Sequence, residues 1–144
     1  MNTDPVNRTI LLADDDPDDA EIFSLVLSKV NPSIKFIHLP NGLAVLEYLK
    51  EKDVVAPDLI FLDINMPEMN GWQCLQSLKA DPAARVIPVL MYTTSSHPRD
   101  REIAMNLGAV AFITKPSDYK ALEQLLRNVA ANLNANFNTI ARTL

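Results

Sequence analysis

Five short apolar runs recur along this chain, each followed by a segment with helical spacing, and that alternation restricts the fold more than anything else in the sequence. The runs are residues 10–13, 34–38, 59–62, 86–92 and 110–114. Short apolar runs bounded by turn signals read as strands. The second run partly alternates, as a half-exposed edge strand would. Pro88 lies within the fourth and cannot donate to a ladder, so pairing there starts late or is flanked by an edge. Between the runs, apolar residues return at helical intervals. They are Ile22, Phe23, Val26, Leu27 and Val30, then Leu43, Leu46 and Leu49, then Trp72, Leu75 and Leu78. Two further sets follow, Ile103, Ala104 and Leu107, and Leu122, Leu125, Leu126, Val129 and Leu133. Pro17 and Pro98 suit first helical turns, Asn41-Gly42 opens the second helix, and Asp118 can cap the last. Asn31-Pro32, Asp81-Pro82 and Gly108 stop helices. Strands alternating with helices imply an α/β fold: a parallel sheet with helices on both faces, joined by right-handed crossovers.

In such sheets ligands bind outside the carboxyl ends of the strands. The first run ends in Asp14-Asp15, the third in Asp63, the fourth in Thr93 and the fifth in Lys115. The second ends in Leu39-Pro40, with nothing polar to offer. Asp63 closes a run of four apolar residues that reads as a strand buried on both faces, and Met66-Pro67 and Asn70-Gly71 then break the chain into a loop. A carboxylate at the end of a buried strand needs a cation, a donor or a chemical task. Three carboxylates in one cleft raise each other's pKa unless a cation is present. The donors are all oxygens, so the cation should be hard, and Mg2+ suits carboxylates, waters and phosphate oxygens. With Lys115 and the Thr93 hydroxyl nearby, the set is arranged to hold a phosphoryl group. Asp63 can be the nucleophile, giving an aspartyl-phosphate.

The 144 residues suffice for one core. Apolar residues form 48% and charged residues 22%, and the net charge is −5 without a Lys/Arg run. That balance argues against nucleic acid or an anionic membrane as the main partner. Cys74 stands alone, so no internal disulfide is expected and the cytoplasm is the simplest location. No stretch reads as a membrane span or a signal peptide.

The acidic pair Asp14-Asp15, the run Leu62-Asp63-Ile64-Asn65-Met66-Pro67 with Asn70-Gly71, Thr93 after Val89-Leu90-Met91-Tyr92, and Lys115-Pro116 stand in a fixed order. Together they resemble the receiver domain of two-component response regulators, over roughly residues 8–133. The resemblance implies a flavodoxin-like sheet in 2-1-3-4-5 order. It implies that Asp63 is the phosphoacceptor, that Asp15 and Asp63 bind Mg2+ through carboxylates, Asn65 through its backbone carbonyl, and Asp14 through a metal-bound water. Lys115 would pair with phosphoryl oxygens and Thr93 would bond one of them and move toward it. Phe112 stands at the aromatic switch position, although plain core is an equal reading of it. The phosphodonor would be a sensor histidine kinase or a histidine phosphotransfer protein, and signalling would follow from a surface change. Thr94 is often smaller in the family, and Ser117 replaces a common aromatic. Ser95 and Asn65 occupy the positions that tune self-hydrolysis, and neither is a strong base, so slow dephosphorylation is expected.

Other residues read more plainly. Asp16, Asp18 and Asp19 suit an acidic helix start. His38 and His97 read as surface residues without partners, Cys74 and the methionines as packing, and Trp72 as cover for its helix. Residues 134–144 are expected to be a tail without a separate output domain, with Phe137, Ile140 and Leu144 at loose helical spacing as a possible self-association or partner contact. A monomer or weak homodimer is expected. Two rival functions stand beside this reading. A phosphatase of the haloacid-dehalogenase type would need an acid two residues after its nucleophile, where this chain has Asn65. A phosphate-independent binding module would not need Asp15, Asp63, Thr93 and Lys115 together.

Overall fold

The computed structural model describes residues 8–133. The expectations placed on the first seven residues and on 134–144 lie outside the described residues. The elements run β1 (Thr9–Ala13), α1 (Pro17–Val30), β2 (Lys35–Leu39), α2 (Gly42–Lys50), β3 (Leu59–Leu62), α3 (Gly71–Ala80), β4 (Val89–Thr93), α4 (Pro98–Asn106), β5 (Ala111–Thr114) and α5 (Tyr119–Asn132). All strands are parallel, in the order β2-β1-β3-β4-β5. The architecture is the α/β fold with the strand order expected of a flavodoxin-like receiver.

Strand periodicity divides the core in two. Ile10, Leu12, Leu59, Phe61, Leu90 and Tyr92 face α1 and α5, where Phe23, Leu27, Leu122 and Leu126 meet them. Leu11, Ile60, Leu62, Val89 and Met91 face the other way, onto Val45 of α2, Leu75 and Leu78 of α3 and Ala104 of α4. Each buried Val, Leu, Ile, Phe or Met side chain among them contributes about 1.5–3 kcal/mol by leaving water. Phe23 sits at the centre of the first layer, stacked on Phe36 and edge-on to Phe61 and Tyr92. This two-sided burial is why the central strands read as continuous apolar runs, while β2, at one sheet edge, has no fully buried residue.

Local signals set the element ends. Asp16 caps α1, accepting from the Asp18 and Asp19 amides, with Pro17 in the first turn. Asn41 caps α2 and Asp118 caps α5. Gly108, at φ +102°, follows α4 in a conformation that favours glycine. Three expectations need correction. The fourth strand starts at Val89, not Val86, which is 76% exposed; the Pro88 carbonyl, free to accept, receives the Ile60 amide at the strand's threshold. Asn70-Gly71 is not a turn but the start of α3, where Asn70 and Gln73 form a reciprocal capping box. Ile22 and Leu43 keep helical spacing but lie largely outside the core, at 46% and 40% exposure.

Candidate functional site

The carboxyl ends of the strands are zipped to one another one residue beyond the sheet. The Asp14 amide donates to the Leu39 carbonyl (3.0 Å), Asp63 to Ala13 (3.0 Å) and Lys115 to Thr93 (2.6 Å). Each rim residue therefore keeps the ladder of its neighbouring strand while its side chain stands at the sheet's end. The topology brings chain positions far apart in sequence to one place, because β1, β3 and β4 are adjacent and β5 follows.

The Lys115 ammonium donates to Asp14 Oδ2 at 2.8 Å, Asp19 Oδ2 at 3.1 Å and Asp63 Oδ2 at 3.2 Å. The second oxygen of each buried carboxylate is taken by local backbone. Asp63 Oδ1 accepts from the Ile64 amide at 2.7 Å, and Asp14 Oδ1 from the Asp16 amide at 2.9 Å. Their orientation is thus fixed from below, with one oxygen of each turned to the shared cation. Asp15 is exposed, yet carboxylate oxygens of Asp14, Asp15 and Asp63 all lie within 4.8 Å of one another. An all-oxygen donor set at that spacing fits a hard divalent ion.

Burial pushes the Asp63 carboxyl above its ordinary range; the Lys115 charge and hydrogen bond oppose this, while the Asp14 charge adds to it. Burial disfavours the Lys115 ammonium, but its bonds to Asp14 and Asp19 and the Asp63 charge outweigh that cost and its pKa is raised. The surrounding carboxylates therefore favour the charged form of Lys115.

The remaining candidates divide. Thr93 is fully buried, and its Oγ1 accepts a long hydrogen bond (3.4 Å) from the Ser95 amide. Asn65 is exposed in the loop after Asp63. Phe112 is 3% exposed and packs in the second core layer. The Arg101 guanidinium holds it twice over, donating to the Phe112 carbonyl (3.2 Å) and lying 5.6 Å from its ring centre. Ser95 is tied to α4, its hydroxyl donating to Asp100, and its carbonyl accepts from Thr114 Oγ1. Thr94 is exposed and lines a cleft of about 560 Å³ with Asp19, Ile22, Leu25, Lys115 and Tyr119.

Sequence reasoning missed three participants. Asp19 is part of the Lys115 cluster, not merely an acidic helix start; it lies one turn after Asp15, and that spacing was the available signal. His38 and His97 are exposed, as expected, but each has a partner. His38 Nε2 donates to the Asp14 carbonyl at 2.7 Å, so β2 does offer a polar group at the rim. His97 caps α4, its Nδ1 accepting from the Arg99 amide. Cys74 is buried, which pushes its thiol up to about 12, as packing requires. Trp72 packs against the second core layer.

The model of the response regulator receiver domain matches residues 10–127. A two-component response regulator ORR1 of Oryza sativa subsp. indica is 32% identical over 85% of this chain and 55% of its own length. The chain spans 23% to 55% of the length of the first curated relatives it matches. Among solved structures, that of the phosphorylated cyanobacterial phytochrome response regulator RcpA is similar with a TM-score of 0.82 at 25% identity, covering 90% of this chain and 96% of that one. The Mn(2+)-bound form of response regulator Rcp1 gives 0.78 at 28% identity, over 87% and 93%.

Proposed function

The chain belongs to the response regulator receiver domain family, and from that premise we propose that it accepts a phosphoryl group on Asp63. The donor is a phosphohistidine of a sensor histidine kinase or histidine phosphotransfer protein. The observation that carries this reading is the single ammonium of Lys115 in hydrogen-bonding reach of both Asp14 and Asp63, at the carboxyl end of the sheet. In the transfer, a carboxylate oxygen of Asp63 attacks phosphorus. The phosphorus–nitrogen bond breaks, and its electron pair returns to the imidazole. Lys115 then exchanges carboxylate oxygens for phosphoryl oxygens, and the Thr93 hydroxyl donates to one of them. Mg2+, held by Asp14, Asp15, Asp63 and the Asn65 carbonyl, would offset the negative charge gathered on the phosphoryl oxygens.

The cleft beside Lys115 supports a helical donor surface. Ile22, Leu25 and Tyr119 are 46%, 62% and 51% exposed at its rim, an apolar patch within reach of the acceptor. Neither Asn65 nor Ser95 can take a proton from an attacking water, and the Ser95 hydroxyl is engaged by Asp100. The aspartyl-phosphate is therefore long-lived. Movement of Thr93 disturbs Ser95, which links it to Asp100 on α4 and Thr114 on β5; Phe112 and Arg101 are the neighbouring elements through which the surface changes. No described helix is long and apolar enough to cross a membrane, and a cytoplasmic site of action follows from the donor. Phosphotransfer profiling against purified histidine kinases of the source organism tests the reading. One kinase should transfer its label within seconds to minutes and leave Asp63→Asn unlabelled; transfer to Asp63→Asn at the native rate would overturn it.

A further inference from the structure

Lys115 has a third carboxylate that the acceptor chemistry does not use. Asp14 and Asp63 are the buried members of the acidic group able to hold a cation, and Asp19 lies outside that group. Asp19 sits on the first turn of α1, half-exposed, with Oδ2 3.1 Å from the ammonium. Two neighbours fix where Lys115 stands. Its backbone amide is held by the Thr93 carbonyl at 2.6 Å, and its ammonium lies 5.7 Å from the centre of the Tyr92 ring.

A divalent ion taking Asp14 and Asp63 competes with Lys115 for the same oxygens. Without another acceptor, a part-buried ammonium would have to hold on to those carboxylates, opposing the ion, or turn into solvent, away from the phosphoryl position. We propose that Asp19 is a positioning residue that retains the Lys115 ammonium at the rim while Asp14 and Asp63 are given over to the divalent ion. The role rests on the acceptor reading for its purpose, but its energetic signature does not require any phosphoryl group. Asp18 provides the matched comparison. It is one residue earlier, carries the same charge and is exposed, and its amide, not its carboxylate, is engaged, by the Asp16 cap.

The test is a double-mutant cycle on Mg2+ affinity, read by calorimetry on the purified chain. Asp19→Asn should weaken Mg2+ binding about 5-fold, and Asp18→Asn by less than about 2-fold. In a Lys115→Met background, where no ammonium needs an anchor, Asp19→Asn should fall to the small effect of Asp18→Asn. Equal effects of Asp19→Asn with and without Lys115 would show a long-range charge effect alone and overturn the assignment. Equal effects of Asp19→Asn and Asp18→Asn would do the same. Labelling of Asp63, measured separately, decides the acceptor reading whichever way the cycle falls.

Discussion

Gly71, the first residue of α3, presses directly on the backbone of Asp63. A Cβ built at Gly71 would collide with the Asp63 carbonyl oxygen and crowd Ile64, while the Gly71 amide donates to the Ile64 carbonyl at 2.8 Å. The glycine is required for close approach, since α3 starts against the backbone of Asp63. The obstacle is backbone, so it cannot swing aside. Gly71→Ala should destabilise the protein by about 1–3 kcal/mol, as overpacking does, and weaken Mg2+ binding through displacement of Asp63. Thermal unfolding and calorimetry check both; an unchanged melting temperature would show that the α3 start is not constrained.

Lys115 is the counter-charge for two buried carboxylates. Removing one partner of a buried ion pair leaves the other uncompensated, at a cost of about 3–5 kcal/mol. Lys115→Met should lower the melting temperature accordingly. Saturating Mg2+ should then raise it by more than it raises that of the native protein, because the ion replaces the lost cation and stabilises the folded state by mass action. A Mg2+-induced rise no larger than native would refute this charge accounting.

The raised pKa of Asp63 has a sign. While Asp63 is ionised it lowers folded stability, chiefly through its burial. The penalty shrinks as pH falls through the folded value and is gone below the ordinary value of 3.8. Asp63→Asn, without Mg2+, should therefore be more stable than native at pH 7 and not at pH 3. A native protein more stable than Asp63→Asn at pH 7 would contradict it.

Asp15 is exposed but within the acidic group. Asp15→Asn should weaken Mg2+ affinity by about 10-fold or more, as loss of a ligand does, while slightly raising the melting temperature in the presence of chelator. A lower melting temperature in chelator would argue against repulsion among the three carboxylates.

Much of this molecule was legible in the chain because its signals are local. Apolar runs buried on both sides gave strands, and Pro17, Pro98 and Asp118 marked helix starts by the same physics that caps them in the structure. The rim group of Asp14, Asp15, Asp63, Thr93 and Lys115 could be placed because one topological rule puts all strand ends on the same side. What depended on tertiary contact was not legible. Gly71 looked like a turn glycine, since proximity to the Asp63 carbonyl leaves no trace in sequence. Val86 shared the apolar character of the fourth strand, and only Pro88, which cannot donate to a ladder, pointed to the late start of pairing that leaves Val86 exposed. Asp19 and His38 acquire their partners across 96 and 24 residues. Ser95, Asp100 and Arg101 tie the β4–α4 loop to β5 through bonds no periodicity announces.

The central claim concerns one oxygen atom of one side chain. Incubating the chain with acetyl phosphate and Mg2+, then measuring intact mass and mapping the modified peptide, tests it most directly. The account predicts a single added phosphoryl group on Asp63, dependent on Mg2+ and lost in Asp63→Asn. Labelling at another residue, or undiminished labelling of Asp63→Asn, would contradict it.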